Sequence, residues 1–256
     1  MKNLHPAYNY QTDTSGQEPR QIEAALYLIP VAIGAAPLSD VIPAGNAAIV
    51  AGIRHFIVEN IRTARRFLRR LVPTIDIDSL TFHELNRHTD PAAVSGFLAP
   101  LRAGEPVGLM SEAGCPAVAD PGAYPVEIAQ REGLKVVPMV GPSSILLALM
   151  ASGLNGQGFA FHGYLPIEEG QRLKRLQELE KTSAREHSTQ MLIETPYRNN
   201  RLLKFLADNL RPDTRLCVAA GITDPDSESI LTRPAAEWRK AKYDYDKIPA
   251  IFLFCR

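Results

Sequence analysis

Short apolar runs alternate with longer amphipathic stretches through the first half of the chain. Ala24-Ala25-Leu26-Tyr27-Leu28-Ile29 reads as a first strand that runs out at Pro30-Val31-Ala32-Ile33-Gly34. A helix is expected over Ala44–Gly52, a strand over Arg54–Val58, an Arg-rich helix over Asn60–Leu71 and a strand near Ser79–His83. A helix from about Pro91 to Arg102, a strand at Val107–Met110, a helix over Gly122–Glu132 and a strand at Lys135–Pro138 complete the series. Strands this short, separated by helices, predict a parallel sheet with right-handed crossovers.

The pattern changes after Gly141-Pro142-Ser143-Ser144 and the apolar helix Ile145–Ala151. Strands are expected at Phe159–His162, Thr189–Glu194, Arg215–Ala220, Ser227–Leu231 and Ala250–Phe254, around helices at about Gly170–Lys181, Arg198–Asn209 and Pro234–Ala241. Short turns such as Asp224-Pro225-Asp226 join some of these strands directly, which implies antiparallel pairing in a mixed sheet. The chain therefore divides into a leader over residues 1–22, an N-terminal α/β domain over 23–139 and a C-terminal α/β domain over 140–256. The leader, MKNLHPAYNYQTDTSGQEPR and the two residues after it, is polar and reads as a flexible tail.

One stretch stands out chemically. Pro106 to Gly122, PVGLMSEAGCPAVADPG, is a buried-type strand that breaks into Ser, Ala, Gly and Pro. Small side chains let a ligand approach the backbone, and in open α/β sheets ligands gather beyond the carboxyl ends of the strands. Asp120 and Pro121 have the residue types of an N-cap and a first helical position. An ordinary strand-to-helix loop has the same composition, so local sequence leaves both readings open.

Composition narrows the partners. Lys and Arg number 28, as do Asp and Glu, so the formal net charge is zero and no global footprint for nucleic acid or an anionic membrane exists. Basic residues still concentrate locally, at Arg54, Arg62, Arg65, Arg66, Arg69 and Arg70 and again at Arg172, Lys174 and Arg175, where a phosphate contact or a solvated helix face would look alike. Cys115, Cys217 and Cys255 are dispersed, as reduced thiols of a cytoplasmic protein would be. No run of 18 apolar residues is present, so no membrane span is expected. His83 and His88 are five residues apart, not four, which does not fit a zinc-binding helix face, and no metal is expected.

Several motifs occur in the order of a known family. SEAGCPAVADPG (Ser111–Gly122) resembles the S-D-A-G-T-P-x-x-x-D-P-G signature of the bacterial 16S rRNA 2'-O-ribose methyltransferases, within the tetrapyrrole methylase superfamily. Leu26–Gly34 (LYLIPVAIG), Val136–Ser144 (VVPMVGPSS), Phe161–Pro166 (FHGYLP) and Ile193–Arg198 (IETPYR) resemble that family's L-Y-x-V-x-T-P-I-G-N, V-x-P-x-P-G-P-S-A, F-x-G-F-L-P and Y-E-[AS]-P-H-R segments. The resemblance implies two α/β domains with S-adenosyl-L-methionine in the cleft between them, and a homodimer acting on rRNA or the small ribosomal subunit. Its cofactor loops map to Pro30, Ile33 and Gly34, to Ser111, Glu112, Ala113 and Gly114, and to Pro142, Ser143 and Ser144. Ile248-Pro249-Ala250 resembles the Pro-Ala that contacts adenine in tetrapyrrole methylases, adding Pro249 and Ala250.

Methyl transfer from a sulfonium is an in-line displacement that needs alignment and exclusion of water, not a metal. A ribose hydroxyl is a weak nucleophile, so a base or hydrogen-bond acceptor is expected beside it. Matched family positions offer Glu59, His83 and Glu194 as catalytic candidates and Arg62, Asn86 and Arg198 as substrate-binding ones. Glu59 with Arg62 also fits a helix-start ion pair, and Glu194 could serve to position Arg198. The chain departs from the family at Asn60 and Ile61, where the motif has Asp and Thr, at Glu112 for Asp, at Ala219–Asp224 (AAGITD) for a charged R-E-L-T-K, and at Lys247–Ala250 (KIPA) for K-G-E. Those departures keep two further readings open: a methyltransferase of a small tetrapyrrole-like or heteroaromatic molecule, and a non-catalytic protein that binds S-adenosylmethionine.

Overall fold

The protein is described here by a computed structural model covering residues 22–256; residues 1–21, most of the expected leader, lie outside the described residues. The first half forms a five-stranded sheet of β1 (Leu26–Leu28), β2 (His55–Val58), β3 (Thr81–Glu84), β4 (Val107–Met110) and β5 (Val136–Pro138), in the order β3-β2-β4-β1-β5. Every pairing in it is parallel. The connections carry α1 (Leu38–Val41), α2 (Gly45–Val50), α3 (Ile61–Leu71), α4 (Pro91–Phe97), α5 (Ala99–Arg102) and α6 (Ala123–Arg131).

Strand β4 shows why a short apolar run suffices. All four of its residues are buried, with Val107 and Leu109 in one cluster and Met110 in the cluster of the opposite face. Gly108 cannot carry a side chain, because a Cβ there would fall 2.7 Å from Ile29 Cδ1 and 2.8 Å from Phe56 Cδ1. Each fully buried aliphatic side chain of this kind contributes about 1.5–3 kcal/mol.

The second sheet contains β6 (Phe159–Phe161), β7 (Thr189–Ile193), β8 (Arg215–Ala220), β9 (Ser229–Pro234) and β10 (Ala250–Cys255), in the order β6-β7-β10-β8-β9. β6 and β7 are parallel and the remaining pairs antiparallel, which makes the sheet mixed as the short turns imply. Helices α7 (Ser144–Ser152), α8 (Glu169–Glu186), α9 (Asn199–Asn209) and α10 (Ala235–Trp238) flank it. Central β10 is buried throughout and alternates strictly. Ala250, Phe252 and Phe254 face one cluster, with α8, α9 and Trp238, while Ile251 and Leu253 face another, with Ala148 and Leu149 of α7. Several buried polar groups inside this half are paired: Trp238 Nε1 donates to Leu216 O at 2.8 Å, and the Glu180 carboxylate accepts from Thr214 Oγ1 at 2.5 Å and Arg211 N at 2.8 Å, whereas Asn199 Oδ1 and Thr223 Oγ1 have no hydrogen-bond partner among the described residues.

Four local expectations are corrected. The helix over Pro91–Arg102 is two pieces, broken at Leu98, because Pro100 has no N–H to give and the chain bends before it. Asp120 does not cap the helix after the SEAGC loop: α6 begins at Ala123, and Gly122 at φ +135° is its N-cap. α8 runs on to Glu186 and stops where His187 adopts a left-handed conformation at φ +50°. β9 starts two residues later and ends three residues later than expected, running from Ser229 to Pro234. Among the described residues, no helix is long and apolar enough to cross a membrane.

Candidate active site

β1 lies between β4 and β5, so the loops leaving these three strands emerge side by side. Val31 and Gly114 exchange both backbone hydrogen bonds, each 2.9 Å, which ties the first loop to the second. On the other flank Cys115 Sγ donates to Pro142 O at 3.4 Å, and a Cβ on Gly141 would fall 2.2 Å from Pro30 Cγ. The second half closes on the same place. Ala36 N donates to Thr223 O at 3.0 Å, and a Cβ on Gly34 would lie 2.7 Å from the Thr223 carbonyl. Gly221, at φ +59°, turns the chain two residues before Thr223, a conformation that favours glycine.

A cleft of about 370 Å³ opens above this junction. From the sequence-derived set, Ile33, Gly34, Ala113, Gly114, Ser143, Ser144, Pro249 and Ala250 line it, together with Glu194. Pro30, Ser111, Glu112 and Pro142 stand one layer away. Pro30 is buried beneath Gly141, Ser111 Oγ donates to Ala113 O at 3.1 Å, Glu112 turns outward to accept from Thr63 Oγ1 at 2.9 Å, and Pro142 offers its carbonyl to Cys115. Ser143 also caps α7, accepting from Leu146 N.

The remaining candidates lie outside the cleft lining. Glu59, at the end of β2, accepts from Glu112 N at 3.3 Å; burial pushes its carboxyl above the ordinary range, against the pull of that backbone bond and with the help of Asp120 and Glu112. Arg62 forms no ion pair with it. Instead the Asn60 side chain accepts from Arg62 N and Thr63 N, so the departure from the family motif at Asn60 is a helix cap. His83 stacks on Phe97, ring centroids 4.7 Å apart, and burial, reinforced by His55, lowers its pKa. Asn86 builds its own turn, donating to Glu84 Oε1 and accepting from His88 N. Arg198 is exposed at the end of a single 3-10 turn, and the Glu194 carboxylate engages Thr195 N at 2.7 Å, not the Arg198 side chain.

The cleft also contains residues outside the motif-derived set: Cys115, Val118, Ala119 and Asp120 from the β4 loop, Phe161 at the end of β6 with Tyr164 after it, and Gly221, Ile222 and Asp224 after β8. The FHGYLP and AAGITD segments carried the signal for the last two groups. Burial raises the pKa of the Cys115 thiol, and burial with Glu112 raises that of Asp120. The titratable lining thus comprises Asp120, Glu194, Asp224, the Cys115 thiol and the Tyr164 phenol, without a single Lys, Arg or His. Among the described residues no group of His, Cys, Asp and Glu could hold a metal ion. Of the first basic cluster, Arg65 pairs with Asp78 and Arg54 donates to the Ala51 and Ile53 carbonyls, whereas Arg62, Arg66, Arg69 and Arg70 of α3 are exposed. In the second, Arg172 stacks on Phe205 at 4.6 Å and Arg175 pairs with Glu178.

Known proteins share both the sequence and this layout. The ribosomal RNA small subunit methyltransferase I of Mesorhizobium japonicum is 35% identical over 205 residues, 80% of this chain and 65% of that protein. Its namesake from Vibrio cholerae is 31% identical, covering 83% and 69%. The chain thus spans about two thirds of the length of these relatives. Among solved structures, the methyltransferase CobJ superposes with a TM-score of 0.60 over 91% of this chain and 94% of that one, at 16% identity. The cobalt precorrin-4 methyltransferase CbiF does so at 0.54, over 91% and 95%, at 18% identity. The family model described as tetrapyrrole (corrin/porphyrin) methylases matches residues 40–237. With the motifs in order, the two sheets in the family's arrangement and that match across most of its length, the chain belongs to the tetrapyrrole methylase family.

Proposed function

We propose that the protein is an S-adenosylmethionine-dependent methyltransferase whose acceptor is a ribose 2'-hydroxyl of small-subunit ribosomal RNA. In this reading the donor lies between two domains, residues 23–139 and 140–256. The observation that carries it is the chemistry of the cleft: a small-residue floor, apolar walls, three carboxylates and no cationic side chain. S-adenosylmethionine brings a sulfonium and an ammonium, which such a lining accommodates, and an adenine that apolar contacts at Ile33, Pro249 and Ala250 would hold. A Cβ on Gly114 would meet Ile33 Cγ2 at contact distance, 3.4 Å, and its φ of +70° disfavours any side chain there. The floor therefore fits a ligand lying against backbone.

The same lining repels phosphate, so an RNA backbone would stay at the rim and present one ribose inward. Exposed Arg62, Arg66, Arg69 and Arg70 are suited to that rim, because Thr63 of the same helix already bonds the β4 loop through Glu112. The names of the curated relatives support RNA as acceptor.

Two measurements test the reading. Calorimetric titration should give saturable binding of S-adenosylmethionine and of its demethylated product; absence of both would overturn it. Small ribosomal subunits from cells lacking this gene should take up labelled methyl from the donor at one ribose, found as a nuclease-resistant dinucleotide. Tight donor binding without RNA labelling would turn attention to the second reading, a small tetrapyrrole-like or heteroaromatic acceptor. Pro249 and Ala250 of the KIPA segment, both in the cleft, favour that alternative.

A further inference from the structure

We infer that Asp120 is the residue that takes the proton from the acceptor hydroxyl during methyl transfer. The inference rests on the proposed O-methylation and assigns a role within that cleft.

Three carboxylates line the cleft, and two are committed to their own turns. Glu194 Oε1 accepts from Thr195 N at 2.7 Å, and Asp224 Oδ1 accepts from Asp226 N at 3.1 Å. Asp120 has the sequence context of a helix cap, yet the structure gives that position to Gly122 and leaves the Asp120 carboxylate accepting no backbone N–H among the described residues. The backbone around it is strained to achieve this. Ala117 at φ +67° and Ala119 at φ +64° are both left-handed without being glycine, and Gly122 follows at φ +135°. A Cβ on Gly122 would lie 3.1 Å from Ala117 N and Leu109 Cδ2, so the loop is folded tightly on itself. Strain of this kind persists only where surrounding structure imposes it, and it concentrates at functional sites.

The surroundings suit a base. Glu112 faces Asp120 from the same loop and Glu59 from the end of β2, while Glu194 and Asp224 come from the second half; the hydroxyls of Ser111, Ser143 and Ser144, the Tyr164 phenol and the Cys115 thiol are the other polar groups around it. No cation is among them. Burial, then Glu112, hold the Asp120 carboxyl above the ordinary aspartate range, opposed by Ser111. A carboxylate with a raised pKa is a stronger proton acceptor at neutral pH. In the step itself the acceptor oxygen forms the new O–CH3 bond as the S–CH3 bond breaks. The bonding pair returns to sulfur, leaving a neutral thioether, and the hydroxyl proton passes to Asp120 and then to water.

The sign of the pH dependence follows. Asp120 must be ionised to accept a proton, so the rate falls as pH drops through its pKa, and the fall begins at higher pH than for an ordinary aspartate. The experiment is a pH profile of kcat for wild-type protein and Asp120→Asn on unmethylated small ribosomal subunits, with titration of the demethylated donor product and a thermal melt for each. The expected result is a single acidic limb in the wild type. Asp120→Asn should be about 10²–10⁴-fold slower, with the limb gone, while affinity for the donor product and the melt stay unchanged. Asp120→Glu should recover part of the rate and keep a limb. A wild-type profile without an acidic limb overturns the proposal even if Asp120→Asn fails to fold. So does a folded Asp120→Asn that keeps wild-type kcat, or one whose defect is lost donor binding. Wild-type protein that binds donor but labels no RNA instead overturns the RNA reading, and the role of Asp120 as acceptor of a ribose proton falls with it.

Discussion

The two ends of the β4 loop are built from similar residues and do different work. At Ser111–Glu112 the chain leaves the cleft lining: the Ser111 hydroxyl is buried against Ala113 O and the Asp120 carboxylate, and Glu112 reaches out to Thr63 on α3. Further on the chain turns inward, and Cys115, Val118, Ala119 and Asp120 line the cleft. Between them Gly114 is pinned to Val31 by two backbone hydrogen bonds. An acidic residue next to a ligand loop can therefore belong to the scaffold or to the site, and the direction of a few φ angles decides which. The outer edge, with Glu59, His83 and Asn86, lies outside the cleft lining.

The difference can be broken most sharply at its pivot. Gly114→Val forces a β-branched side chain to φ +70° and into the space over Ile33, so donor binding in a calorimetric titration should fall at least about 100-fold, whereas Glu112→Gln should change it little. On stability, Phe252→Ala removes a fully buried ring from central β10 and should cost about 3–5 kcal/mol in denaturant unfolding. A smaller loss would mean that the second sheet can close over the void. Asn60→Ala removes the α3 cap and should cost about 1 kcal/mol of stability without altering donor affinity. A change in RNA labelling beyond that loss would return Asn60 to the substrate edge.

The smallest effect concerns Glu59. Its folded pKa is raised, chiefly by burial, so the ionised form disfavours the folded state, and that penalty is fully present above the folded pKa and gone below the unfolded one. Glu59→Gln should therefore be neutral to slightly stabilising at pH 7.5, with the increment shrinking by pH 4, as read from unfolding midpoints. Destabilisation at pH 7.5 would show that the bond to Glu112 N outweighs burial.

Much of this architecture is legible in the chain. The strands at Leu26–Leu28, Val107–Met110 and Ala250–Cys255 are apolar because both of their faces are covered, and such runs announce themselves without an alternating pattern. The loops at their carboxyl ends follow from the parallel order, and the small residues there mark which loops approach a ligand. What does not show is which side chain turns inward. Asp120 has the sequence of a cap and Glu59 that of an ion-pair partner. Only the left-handed alanines beside the one and the Asn60 cap beside the other reveal that neither reading describes them. His83 stands at a motif position, and its ring packs face to face against Phe97.

The contact of Gly34 with Thr223 has a practical consequence for recombining relatives of this protein. One wall of the cleft is made by an early loop and a late turn that interlock with no room for a methyl group, so the two must be inherited together. A chimera joined between the sheets should work only when Ile33–Ala36 and Gly221–Asp224 come from the same parent. Mismatched pairs should fold as two sound halves around a misaligned gap.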